Sequence, residues 1–253
     1  MKLSFRAPLL AMMVSLLFLL GTTAFSQESQ GTFDPIDQLL NYGETQQALQ
    51  LLHELPEPSP GKLWRLSRVQ YEMGRMAESK SQRLDFFRQA EKYARATIVM
   101  APNNSEGFKW LAISLGAQSK YSTTKEQINL SQEIKNNIEK SLALNPDDDI
   151  SYLVLSRWNY KISALGLLSR VVVKIVYGGL PEASLDKAEE LLWKAIKLHD
   201  RVTHRYNLAK VYYRMGRRKD AIKQLHRALS LPATFPAEID ELCKAQKKLQ
   251  KWQ

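Results

Sequence analysis

"RYNLAKVYYRMGRRKDAIKQLHRALSLP", residues 205–232, carries two apolar stripes of helical period with one glycine between them. Leu208, Ala209 and Tyr212 share one helix face; Gly216 interrupts, and Ala221, Leu225 and Ala228 resume the period. The small residues Ala209, Ala221 and Ala228 fall where two antiparallel helices have to approach closely. Pro232 then bars continuation of the second helix. The stretch predicts a helical hairpin that turns at Gly216.

The same half-patterns recur upstream, which makes the hairpin one unit of a repeat. First-helix forms stand at Leu63-x2-Leu66-Ser67, Phe108-x2-Leu111-Ala112 and Tyr152-x2-Leu155-Ser156. Second-helix forms stand at Ala90-x3-Ala94-x2-Thr97, Ile134-x3-Ile138-x2-Ser141 and Ala188-x3-Leu192-x2-Ala195. "MAPNN" at Pro102 and "LNPDD" at Pro146 close two of them. A shorter hairpin opens at "DPIDQLLNYGETQQALQLL", with Asp34 expected as N-cap, Pro35 at the first helical position and Gly43 as the break. A closing helix over about Pro236 to Trp252 has the look of a terminal cap, with Ile239, Leu242, Leu249 and Trp252 on one side. The spacing is tetratricopeptide-like, with two departures: Arg205 replaces a large first residue and Pro232 comes one place early. Residues 34–253 are therefore expected to form an all-α, right-handed superhelical stack of tetratricopeptide-like hairpins, some lengthened.

The lengthening is uneven. Leu208 and Ala221 lie 13 residues apart, whereas Leu66 and Ala90 lie 24 apart, Leu111 and Ile134 23, and Leu155 and Ala188 33. The longest gap contains "LGLLSRVVVKIVYGGLP", residues 165–181. Consecutive Val171, Val172 and Val173 break the alternation of a strand. As a helix, Ser163, Gly166, Arg170 and Lys174 form one polar stripe, until Gly178-Gly179 and Pro181 end it. Residues 165–177 are expected to pack as an inserted helix; the alternative is an apolar surface that faces lipid.

Before the repeats, Lys2 and Arg6 precede an apolar run from Leu9 to Leu20, and Ala24 and Ser26 place small residues at a cleavage site. That is the anatomy of a signal peptide over residues 1–26, followed by a short linker, 27–33. The expected destination is periplasmic or secreted; the alternative is anchorage by an uncleaved N-terminal segment. Lys2 and Arg6 are the only charges before residue 27, so removing them takes the net charge from +10 to +8. A basic balance favours acidic partners. Cys243 is the single cysteine, which excludes an internal disulfide.

Taken together, these elements resemble the regulator of microtubule dynamics family of tetratricopeptide-like proteins. The resemblance rests on "LWRLSRVQYEMG" (63–74), "FKWLAISLG" (108–116), "IEKSLALNPDDDISYLVLSRWNY" (138–160), "YGGLPEASLDKAEELLWKA" (177–195) and "LAKVYYRMGRRKDAIKQLHRALSLP" (208–232). It covers about residues 62–249. It implies a non-catalytic helical scaffold and, in eukaryotic members, association with microtubules or intracellular membranes. Tubulin is an expected partner only where that eukaryotic setting applies.

No catalytic pattern stands out. His53, His199, His204 and His226 lack metal-ligand spacing, and His199 and His204 are expected on different helix sides. Asp147, Asp148 and Asp149 follow Pro146 at a helix start, where carboxylates favour the dipole. "PGKL" at 60–63 is no phosphate loop. Trp110, Trp158 and Trp193 are expected in the core. One pattern points outward. Arg68, Arg157 and Lys210 each stand two residues after the first-helix leucine, and Tyr71, Tyr160 and Tyr213 stand five after it. These six are the candidate partner-binding residues, expected along the concave face and suited to an acidic protein or peptide, since Tyr and Arg favour interfaces. Anionic membrane lipid is the second partner class. No cofactor, metal or nucleic acid is expected.

Overall fold

The computed structural model describes residues 30–163 and 183–253. The signal segment 1–26, the first half of the linker and the insertion 165–177 lie outside the described residues. All regular structure described is helical, and it falls into five hairpins. They are α1 (Asp34–Tyr42) with α2 (Thr45–Glu54), α3 (Pro60–Met76) with α4 (Lys80–Met100), α5 (Ser105–Gln118) with α6 (Thr124–Leu144), α7 (Asp149–Ser163) with α8 (Leu185–Leu198), and α9 (Val202–Arg214) with α10 (Arg218–Leu229). A last helix, α11 (Pro236–Trp252), follows them. The fold begins slightly ahead of Asp34: Gln30–Thr32 form a 3-10 helix, Phe33 is buried, and Phe33 rather than Asp34 takes the N-cap position of α1.

Local chemistry sets the boundaries. Ser59, Asn104 and Ser184 accept first-turn N–H groups at the starts of α3, α5 and α8, and Ser79 and Thr123 form capping boxes with Gln82 and Glu126. Gly43 and Gly216 turn at φ 85° and 80°, the left-handed region glycine enters without a Cβ clash. Two of the unequal gaps arise from longer helices: α3 and α4 run 17 and 21 residues and α5 and α6 14 and 21, against 13 and 12 for α9 and α10, while the longest gap includes residues outside the described ones.

Within each hairpin the small residues meet. Ser67, Ala112, Ser156 and Ala209 hold equivalent first-helix positions and are fully or almost fully buried. Where that residue is serine, its hydroxyl donates to the facing helix: Ser67 Oγ to the Ala90 carbonyl at 2.7 Å and Ser156 Oγ to the Ala188 carbonyl at 3.0 Å. The buried hydroxyls are thereby satisfied at a contact too close for a larger side chain. Leu52, Ile138, Leu192, Leu208 and Leu225 fill the space beside these crossings.

Successive first helices also touch one another, α3 with α5, α5 with α7 and α7 with α9, while the second helices make no comparable contacts. The stack therefore curves with α3, α5, α7 and α9 on its inner side. Two expectations are corrected here. Trp193 is 41% exposed, because it sits on the outer helix α8 and closes over Tyr212 instead of entering the core. Ile239 of α11 is 57% exposed, and the buried side of that helix is Glu238, Ala245, Leu249 and Trp252.

Two glycines predict opposite stability effects. A Cβ at Gly74 in α3 would lie 2.6 Å from Cε1 of the buried Phe87 ring, whereas a Cβ at Gly116 in α5 meets nothing within 4 Å. Gly74→Ala should lose more to overpacking, about 1–3 kcal/mol, than the ~1 kcal/mol that alanine gains in a helix. Gly116→Ala should keep that gain. Urea midpoints check both signs, and equal shifts would contradict the packing described.

Candidate functional site

The inner side of the stack is occupied by the chain's own last helix. Phe235 and the first half of α11 reach the opening hairpins: Pro236 packs on Gly43, Asp240 lies 3.5 Å from Arg75 of α3, and Phe235 lies under the guanidinium groups of Arg68 and Arg201. Midway, Glu241 accepts from Arg157 of α7 at 2.7 Å. Arg157 also donates to Thr203 and Asn207 of α9, so one side chain ties three helices. Glu238, 1% exposed, accepts from the Thr203 N–H and from Thr234. Arg201, the N-cap of α9, makes no side-chain cap bond, and Glu238 supplies the missing carboxylate from another helix. The second half of α11 buries Ala245, Leu249 and Trp252 against α9 and α10.

Of the six sequence-derived candidates, Arg157 and Tyr213 contact this helix, Arg68 stands beside Phe235 just before it, and the other three are engaged elsewhere. Arg68 donates to Asn41 at 2.7 Å, beside Phe235. Tyr71 turns inward, its ring 5.8 Å from both Phe87 and Trp110. Tyr160 lies beneath Lys210 and Arg214, at 5.0 and 5.2 Å. Tyr213 stacks flat on Trp252 of α11 at 3.9 Å. Arg75 belongs with this group and was missed, because it stands outside the repeated offset.

Positive charge on the inner side exceeds its compensation. Burial and the neighbouring Arg157 lower the Lys210 ammonium to about 8; Glu241 opposes that shift, and Lys248 and Lys244 add to it. Lys120, just after α5, is likewise lowered by burial and by Arg157, Lys161, Arg75 and Lys244.

Part of this cluster rims a cavity. A space of about 440 Å³ opens between the far ends of α5, α6 and α7, lined by Ile113, Ile128, Ile134, Val154, Trp158 and Ile162 among others. Lys120, Arg157 and Lys161 stand at its polar side, and Tyr71 contributes from α3. The cavity was not legible in sequence, since its walls come from three different repeats.

Residues 32–253 match the family profile described as regulator of microtubule dynamics protein 1-3. The chain belongs to the regulator of microtubule dynamics family. Regulator of microtubule dynamics protein 3 of Xenopus laevis is 31% identical over 172 residues, covering 67% of this chain and 37% of that protein. Protein 1 of Mus musculus is 26% identical over 201 residues, 78% of this chain and 66% of the relative. Protein 1 of Caenorhabditis elegans is 25% identical over 225 residues, 88% and 99%. The chain thus spans about a third and two thirds of the Xenopus and mouse relatives. A solved tetratricopeptide protein of Thermus thermophilus superposes at TM-score 0.62 and 21% identity, covering 87% of this chain and 98% of its own, a likeness of fold alone.

In this family member the acidic run after Pro146 is a clamp between repeats. Asp148 accepts from the Ile150 N–H and Ser151 Oγ and pairs with Lys109 at 3.0 Å. Asp149 binds Arg201 at 2.6 Å, His204 at 2.8 Å and His199 at 3.2 Å. Both histidines therefore converge on one carboxylate, against the expectation that they face apart: α8 ends at Leu198, and the bend before α9 brings His199 back. Burial pushes Asp149 up, but hydrogen bonds from His204 and Arg201, with their charges, hold it at about 2. Among the described residues no group of three or more His, Cys, Asp or Glu could hold a metal ion.

Lys210 provides the pH test of the surplus charge. Its folded value of about 8 lies below the ordinary 10.5, so between these values the unfolded chain binds more protons and stability rises with pH. Lys210→Met should stabilise the fold at pH 7, with the advantage fading between pH 8 and 10.5. An advantage unchanged across that window would mean that Lys210 carries no burial cost.

Proposed function

We infer that this family member is a non-catalytic binding scaffold whose inner face takes an acidic segment of a partner protein. The observation that carries the reading is the cation cluster of Lys120, Arg157, Lys161 and Lys210. Burial is the main cause that lowers Lys120 and Lys210, and an anionic segment would relieve the repulsion from neighbouring cations that adds to it. The scaffold itself is plain in the fold; acidity of the partner is the added step. The relatives' names concern microtubule dynamics, so microtubules serve as one probe.

The test is capture of partners from the native host's extract, and co-sedimentation with microtubules, by the wild type and by Lys161→Glu/Lys210→Glu. The expected result is a partner lost on raising salt and bound about tenfold more weakly by the variant, a loss of about 1.4 kcal/mol. An identical set of partners held with equal affinity by both proteins would refute the reading. The protein acts after export under this reading, and N-terminal sequencing of the captured native chain should return Gln27; Met1 would instead favour the anchored form.

The cavity supports a second reading, an anionic amphiphile held with its apolar part among Ile113, Ile128, Ile134 and Val154 and its charge at Lys120 and Lys161. Its size falls within the roughly 300–1,000 Å³ of small-molecule sites. Gly116 lines the cavity and a Cβ there meets nothing within 4 Å, so Gly116→Leu is the substitution chosen to narrow it. Displacement of a fluorescent fatty acid should weaken at least tenfold in that variant. Equal affinity would place the amphiphile elsewhere. Among the described residues no helix is long and apolar enough to cross a membrane.

A further inference from the structure

The helix that fills the inner side is built in two unlike halves. Its second half is an apolar anchor: Ala245, Leu249 and Trp252 are buried, Trp252 stacks on Tyr213, and the Trp252 carbonyl accepts from Arg218. Its first half is a polar latch. Of its two large aliphatics, Ile239 is exposed and Leu242 only partly covered. Its hold on the inner helices is Pro236 on Gly43, Phe235 under two arginines, Asp240 with Arg75, and Glu241 with Arg157.

These contacts are weak one by one. Asp240 is 64% exposed and its pair spans 3.5 Å, a geometry worth little in water. Arg157 is 44% exposed, while the second carboxylate oxygen of Glu241 is buried with no partner among the described residues. An unsatisfied buried oxygen subtracts from the stability of the docked state. Glu238 is the exception, because it caps α9 and shares its other oxygen with Thr234. The latch therefore has a firm point at its start, a loosely held carboxylate at Asp240, and at Glu241, 13% exposed, a short pair to Arg157 offset by an unpartnered oxygen.

We propose that the inner face is a docking surface for an acidic helix, and that residues 239–242 of α11 are its resident competitor, displaced when a partner helix presents two consecutive carboxylates to Arg75 and Arg157, as Asp240 and Glu241 do. This rests on the acidic-partner reading above and adds the shape of the partner and the control on the site. The latch itself is the template: Glu238, Asp240 and Glu241 meet the inner face from the first two turns of a helix, whereas Lys244, Lys247, Lys248 and Lys251 occupy the later turns. Being tethered through the anchor, the latch competes at an effective concentration on the order of mM. A free helix with the same contacts is therefore suppressed until the latch opens, in proportion to the fraction that is open.

The probe is a synthetic peptide of residues 232–243 with Cys243→Ser and a fluorescent label, added to the full chain and to the full-chain variant Asp240→Asn/Glu241→Gln. The variant should bind the peptide at least tenfold more tightly than the wild type, with affinity falling as salt rises. In the wild type, excess peptide should speed hydrogen exchange at amides 239–242 and leave 245–252 protected. Should the variant prove unfolded by circular dichroism, the exchange measurement on the wild type decides. Equal, salt-sensitive affinity in both proteins with no change in exchange would overturn the displacement and leave the acidic-partner reading standing. Binding in neither, with the native partner unaffected by Lys161→Glu/Lys210→Glu, would overturn both.

Discussion

The ion pair between Arg157 and Glu241 stands where the architecture closes on itself. Arg157 projects from α7, the third of the four inner helices, and holds at once the start of α9 and the helix that lies across them. A stack of hairpins has only nearest-neighbour contacts along its length. Contacts such as Arg157–Glu241 and Arg75–Asp240 tie residues 84 and 165 positions apart. With Pro236 seated on Gly43, α11 makes the first and last hairpins parts of one body.

The stability of that closure is divided unevenly. Burial of a large apolar side chain contributes about 1.5–3 kcal/mol, and α11 has Leu249 and Trp252 in this role, both at its far end. Exposed ion pairs contribute about 0–1 kcal/mol each, and these predominate toward the opening hairpins. The inner face meanwhile keeps more cations than carboxylates, at a cost visible in the lowered Lys210 and Lys120. A fold selected for stability alone would replace such lysines with neutral side chains. Under the proposed function, their presence beside the acidic first half of α11 serves the binding of an anionic segment.

The repeats were legible because each hairpin states its own chemistry: an aliphatic next to a small residue, a glycine or proline at the turn, and an Ala-x3-apolar return. The serine stitches, the left-handed glycines and most helix boundaries follow directly from those residues. The route of α11 was not legible. Its acids come first and its lysines later, which the helix dipole accounts for equally well, so the segment read as an ordinary end cap. Arg68, Arg157 and Lys210 stand at one repeated offset on α3, α7 and α9. That offset could not reveal that Tyr71 turns into an aromatic cluster or that Tyr213 stacks one face on Trp252, because both depend on partners more than ten residues away. Asp149 shows the same limit: helix-start acids are common, and only the packed fourth and fifth hairpins bring Arg201, His204 and His199 to this one.

In the resting protein the first half of α11 lies against the opening hairpins, and both the closure and the latch depend on that placement. Cys243, exposed on α11 and the single cysteine of the chain, offers one label site, and Met76→Cys at the exposed end of α3 offers another. Pulsed electron–electron double resonance between spin labels at these two positions measures their separation directly. One narrow, short distance population is expected at low salt, joined by a longer one when acidic peptide is added. A broad, long distribution in the free protein would contradict the docked helix.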